Sequence, residues 1–221
     1  MLDLAKKYII HDISVKLYNE MPLWPGKRHK FLHSFAKLMD DKDEINLSRL
    51  DMSMHTGTHI DAPFHKINSG KKLDQINVQN FMGSAQVIDL THLKLKIEAD
   101  DIKNIISNET DFLLFKTINS EYWGKNTFID NFIYFDKSAA EFIADYKPLG
   151  VGIDYMSVDA YDAKIPVAHH AFFSNEILIY EGLNLNFVSG GNYFFIGLPL
   201  SIENSEGSPV RALLYEESLD K

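Results

Sequence analysis

The chain has 221 residues, 45% hydrophobic and 24% charged, which fits one good-sized globular domain and argues against disorder. A net charge of −9 speaks against nucleic acid as a partner, since phosphate binding needs clustered Lys and Arg; the short basic run Lys27-Arg28-His29-Lys30 reads as a solvated loop. Cysteine is absent, which excludes disulfides, and no secretory signal or run approaching about 20 apolar residues is present, so a cytoplasmic protein off the membrane is expected.

In chain order, Ile13, Val15 and Leu17 alternate with polar neighbours and predict a strand. Leu50, Met52 and Met54 alternate with Asp51 and Ser53 and predict a second, running straight into the histidine cluster that follows. Short apolar runs at 85–90, 112–116, 132–135 and 151–154 read as further strands, as do 177–180, 193–200 and 210–215. Ile102, Ile105 and Ile106 mark the apolar stripe of a helix. Ser138 with Glu141 has the pattern of a capping box, opening a helix through Ala144 that stops near Pro148. The mixture predicts a single α/β domain over residues 1–221 with a β-rich core.

The segment 55–65 reads His-Thr-Gly-Thr-His-Ile-Asp-Ala-Pro-Phe-His and holds three of the nine histidines. Without thiolates, imidazole and carboxylate are what a divalent transition metal selects. Thr56-Gly57-Thr58 has poor helix propensity, so His55 and His59 are placed on a loop. A positive φ at Gly57 can bring the two rings together. Asp61 lies two residues after His59, so in extended backbone both face the same way, and Pro63 then redirects the chain before His65. Four such side chains suit one ion with an open position, or two ions sharing the carboxylate.

A second constellation follows at His169-His170 and Glu181. Glu181 ends the apolar run 177–180, where a carboxylate is costly unless paired or bound to a cation. Taken alone it reads as the start of a solvated turn at Gly182; beside the first cluster it is a source of further ligands. Trp24, between Leu23 and Pro25, can stack on an aryl substrate or pack at an edge, and Phe64 is a second candidate wall or a core residue. Ser157 and Asp159 read as turn residues.

The pattern His55-x-Gly57-Thr58-His59-x-Asp61-x-Pro63-x-His65 resembles the signature of the cyclase family of metal-dependent hydrolases, which includes bacterial kynurenine formamidases and isatin hydrolases. The resemblance extends to Trp24-Pro25-Gly26, to Gly152-Ile153-Asp154 with Ser157 and Asp159, to the twelve-residue spacing of His169 and Glu181, and to 207–212. It implies a swivelling β/β/α fold and a homo-oligomer, commonly a dimer or tetramer. It further implies that His55, His59 and Asp61 hold one metal and that Asp61, His169 and Glu181 hold or help bridge a second. His65 is then the general acid/base and Trp24 lines the substrate pocket, while His170 is a neighbour that only hydrogen-bonds.

The chemistry so implied is hydrolysis of a small amide, with N-formylkynurenine as the model arylformamide. A divalent ion lowers the pKa of water to about 7, which makes hydroxide available at neutral pH. An imidazole titrating near 6.5 can then shuttle the proton to the leaving nitrogen. Zn is favoured by the histidine-rich cluster, with Mn also accepted by these ligands. Gly-x-Ser-x-Gly is absent, which argues against a serine nucleophile. The alternatives are a cyclic-amide hydrolase of the isatin kind, with the same site, and a metal-binding protein without turnover, in which His65 would be dispensable.

Overall fold

Residues 8–26, 30–107 and 110–217 are described by the computed structural model, in which strands dominate and helices are few. The strands are β1 (Tyr8–Asp12), β2 (Phe31–Lys37), β3 (Leu47–Met52), β4 (His59–Asp61), β5 (Met82–Asp89), β6 (Lys96–Ile97) and β7 (Phe112–Lys116). They continue as β8 (Tyr134–Phe135), β9 (Gly150–Ile153), β10 (Leu178–Glu181), β11 (Gly191–Ile196), β12 (Gly207–Pro209) and β13 (Leu213–Glu217). Among the described residues three α-helices, α1 (Ala99–Ile102), α2 (Lys137–Tyr146) and α3 (Val167–Ser174), accompany them.

Nine strands form one sheet in the order β1-β13-β11-β5-β7-β9-β10-β4-β12. Its centre, β5-β7-β9-β10, is parallel, and the flanking pairs are antiparallel. Side chains alternate across a strand, so each central strand feeds two cores. Leu113, Phe115, Val151, Ile153 and Ile179 face α2 and α3 in one. Phe112, Leu114, Leu178 and Tyr180 face Phe195 and Leu214 in the other. Truncating one such fully buried Leu or Ile to Ala costs about 2–5 kcal/mol, so the sheet centre is a firm base for what its ends carry. This is the mixed α/β, β-rich architecture expected.

Most runs fall where the apolar pattern puts them, and the departures have physical causes. The alternating segment Ile13–Leu17 lies beyond β1, not within a strand. Its backbone is taken up piecewise, Ile13 N–H donating to the Ala212 carbonyl (3.0 Å) and Val15 N–H to the Thr58 hydroxyl (2.8 Å). The helix at 138 starts earlier: Asp136 is the N-cap, accepting from Ala139 N–H at 3.1 Å, and the Ser138 hydroxyl donates to the Asp136 carboxylate. Its last turn ends on Lys147 at φ 57°, before Pro148. The stripe at 102–106 gives one helical turn only, α1. The strand at 50–54 ends at Met52, and β2-β3 is a separate two-stranded sheet carrying exposed Leu32, Phe35, Leu47 and Leu50. Of the basic run, Lys27, Arg28 and His29 lie outside the described residues, while Lys30 is exposed and pairs with Asp51. No helix among the described residues is long and apolar enough to cross a membrane.

Candidate active site

Strand β4 is only three residues long and wedged between β10 and β12, and the site grows from it. Register sets His59 opposite Glu181 and Asp61 opposite Gly207. His59 and Asp61, two apart, therefore point to one face, with the Glu181 carboxylate beside them and no side chain from Gly207. A Cβ at Gly207 would sit 2.9 Å from His55 Cε1, so glycine leaves the room that ring occupies. The turn before β4 places His55. Gly57 has φ 68° and packs against Gly182, at φ 71°, where a Cβ would come within 2.1 Å of the Gly57 carbonyl oxygen. Thr58 ties this junction by donating to the Gly182 carbonyl at 2.6 Å.

Hydrogen bonds fix which atoms face inward. His59 Nδ1 donates to the Gly57 carbonyl at 2.9 Å, which turns Nε2 inward, 3.5 Å from Asp61 Oδ1 and 3.4 Å from Glu181 Oε2. His55 Nδ1 is 2.7 Å from Asp61 Oδ1, and its Nε2 is 3.2 Å from Glu206 Oε1. After Asp61 the chain turns through Pro63–His65, bringing His65 Nε2 to 3.9 Å from Asp61 Oδ2.

The other side comes from α3 and β10. His169 is buried while His170 is exposed, so the helix turns only His169 inward. Its Nε2 is 3.8 Å from Asp61 Oδ2 and 3.6 Å from Glu181 Oε1. Asp159 holds it there. Its carboxylate accepts from His169 Nδ1 at 2.6 Å and from the N–H groups of Ala168 and His169 at 2.8 and 3.1 Å. Those are orphan donors of the first turn of α3, so one buried side chain both starts the helix and orients the imidazole. Asp159 thus lies in the bend after β9, in keeping with its reading as a turn residue, and orients His169 besides. Ser157 does serve the turn, its hydroxyl accepting from Asp159 N–H at 3.2 Å. Asp154 is buried nearby but its oxygens are taken up by Thr117 and Ser120, so it braces the fold.

The donor set fits a divalent metal. His59 Nε2 and both Asp61 carboxylate oxygens are buried, and the Asp61 oxygens face only imidazole nitrogens, a costly state unless protons on those rings or a metal cation complete it. Two groups have ligand atoms within 4.8 Å of one another: His55, His59 and Asp61, and then Asp61, His65 and His169. They share Asp61, and Glu181 faces His59 and His169, one from each. His65 stands within the second group's span, where the sequence pattern casts it outside the ligands. It is also the most exposed of the inward-facing rings, at 22% of its side chain.

Charges follow. Burial works against protonation of His55, but Asp61 and Glu206 outweigh it and hold its pKa up to about 10. Burial likewise opposes, and Asp159 and Asp61 overcome, at His169, raised to about 9. Burial acts to raise Asp61, yet His55 and His59 hold it well below the usual carboxylate range. His65 is pushed down to about 3 by burial, with the cations around it adding to the effect against the pull of Asp61, so it stands neutral.

His55, Asp61, His65, His169 and Glu181 line a cavity of about 220 Å³ together with Trp24, Lys66, Met156 and Ser157. Trp24 is itself held by rings, its centroid 5.4 Å from Phe128 and 5.3 Å from Tyr161. Phe64 does not line this cavity; the Lys72 ammonium sits 5.0 Å over its ring. Sequence reasoning missed Glu206 and Lys66. Neither stands in a ligand-like pattern, and only the folded site brings them in.

The family model described as Putative cyclase matches residues 11–160. A kynurenine formamidase of Bacillus cereus is 36% identical over 203 residues, 92% of this chain and 95% of its own. One from Geobacillus thermodenitrificans is 37% identical over the same shares. Among solved structures, a potential metal-dependent hydrolase with cyclase activity superposes with TM-score 0.83 at 32% identity, covering 96% of this chain and 99% of its own. An isatin hydrolase bound to the product analogue thioisatinate shares the fold, with TM-score 0.86 at 21% identity over 97% and 95%.

Proposed function

The chain belongs to the Putative cyclase family, and on that premise we propose that it hydrolyses a small aryl amide, with an arylformamide such as N-formylkynurenine as the substrate to try first. The observation that carries this reading is Asp61, whose two buried oxygens face only imidazole nitrogens and serve two ligand groups in a cavity that Trp24 also lines. His55, His59 and Asp61 would hold one ion, and Asp61, His169 and Glu181 would hold or bridge a second, with Zn favoured over Mn by the imidazoles. Ions held there would supply the chemistry of a Lewis acid, a source of hydroxide at neutral pH and polarisation of the scissile carbonyl.

The rest falls to side chains. His65, which lines the cavity and is the most exposed of its imidazoles, would take the proton of the nucleophile at a ring nitrogen and return it to the leaving nitrogen. Trp24 offers its face to the aryl group and narrows the cavity against water. Asp159 keeps His169 in the tautomer that turns Nε2 inward. The chain is proposed to work as a homodimer or homotetramer, a reading supported by the exposed leucines and Phe35 of the β2-β3 hairpin, since two strands alone are marginal in water.

The test is hydrolysis of N-formylkynurenine by metal-loaded protein, followed by absorbance, with His65→Ala beside it. Turnover that drops about 10²- to 10⁴-fold in the variant, with metal retained, is the expected result. No turnover in protein that carries metal rejects the arylformamide. Opening of isatin in its place moves the assignment to cyclic amides.

A further inference from the structure

Lys66 follows His65 directly and lines the same cavity, yet no acidic residue among those described pairs with it. Other lysines nearby in the chain are occupied. Lys71 pairs with Glu176 at 2.9 Å, and Lys72 donates to Asn204 Oδ1 at 2.6 Å. The carboxylates around the cavity are not available to Lys66. Asp61 and Glu181 are buried, and their oxygens face His55, His59 and His169. Glu206 is engaged by His55. The Lys66 backbone is fixed by the Pro63–His65 turn, through its N–H to the Pro63 carbonyl at 3.3 Å. Lys66 is exposed and lines the cavity, an unpaired cation on its outer side in a chain whose net charge is −9.

We propose that Lys66 is an anion subsite at the mouth of the cavity, so that the preferred substrate carries a carboxylate on or beside its aryl ring. This rests on the amide-hydrolase reading and narrows it to a class, aryl amides with an anionic substituent. Trp24 would take the ring and Lys66 the carboxylate, fixing which way the amide enters. A charged pair at a half-open cavity mouth is screened by salt, and the subsite should be too.

Binding tests this apart from turnover. Calorimetric titration of the metal-loaded protein with 2-aminobenzoate and with aniline compares two product-like rings that differ in the carboxylate. In the wild type the anion binds more tightly and weakens with added salt. Lys66→Met reduces that preference tenfold or more and removes its salt dependence, and Lys66→Arg restores most of it. An anion preference indifferent to Lys66→Met, or an equal loss for both ligands, overturns the proposal. Because no chemistry is required, an inactive protein still gives one answer or the other, and failure of the hydrolase reading shows separately in the turnover assay.

Discussion

His55, His59 and Asp61 come from seven consecutive residues of one turn and one strand, whereas His169 and Glu181 come from a helix and a strand that meet only in the folded chain. The first half is oriented by backbone: the Gly57 carbonyl fixes the His59 tautomer, and the missing side chain of Gly207 gives His55 its place. In the second, His169 is oriented by a side chain, Asp159, which also starts the helix it acts on. A ligand held by backbone can be disturbed only by moving the chain, while one held by a carboxylate can be loosened by a single substitution that leaves the fold standing. The two halves should therefore fail differently.

The largest effect is expected where the halves touch. Gly182→Ala places a methyl group 2.1 Å from the Gly57 carbonyl oxygen at a φ of 71°, so the β10 end and the histidine turn cannot both keep their positions. A loss of about 2 kcal/mol or more in denaturant unfolding is expected, together with the loss of both ligand groups. Unchanged stability would mean that the junction gives way easily and is no clamp.

Asp159→Asn sharpens the contrast. It keeps the shape of the side chain but removes the charge facing His169 Nδ1. Metal affinity at the second group should fall about 10- to 100-fold in competition titrations with a chelator, while the His55–His59–Asp61 group keeps its own. Equal weakening of both groups would erase the distinction between the halves.

A smaller, graded effect is expected from pH. In the metal-free protein, His55 at about 10 and His169 at about 9 both lie above the ordinary imidazole value of 6.5. Their protonated rings thus contribute stability that is fully present below pH 6.5 and lost as pH rises through 9 and 10. Melting temperature of the metal-stripped protein should decline over that window. The loaded protein should not follow it, because the ion takes the place of those protons. Parallel profiles would contradict the assignment of these rings as ligands.

The same contrast explains what could be read from the sequence. The first half was legible because its residues are neighbours: spacing alone puts His59 and Asp61 on one face and asks for a glycine turn before them. The central strands were legible because parallel strands buried on both faces leave plain apolar runs, as at 112–116. Helix α3 was not, since Val167–Ser174 is apolar on most sides and has no capping side chain nearby in sequence; its cap comes from Asp159. Asp159 looked like a turn residue alone because only the folded chain sets it against His169. Glu206 and Lys66 carry no local pattern, and their places are set by β12 and by the turn after Pro63. The segment after β1 alternates like a strand, yet its hydrogen bonds go to Ala212 and Thr58 one at a time.

The most direct measurement is metal content per chain in the wild type, His169→Ala and Asp61→Ala, read by elemental analysis on protein that melts cooperatively. A carboxylate shared by two groups predicts two ions in the wild type, one in His169→Ala and none held tightly in Asp61→Ala. A single ion per chain, indifferent to His169→Ala, would contradict the account.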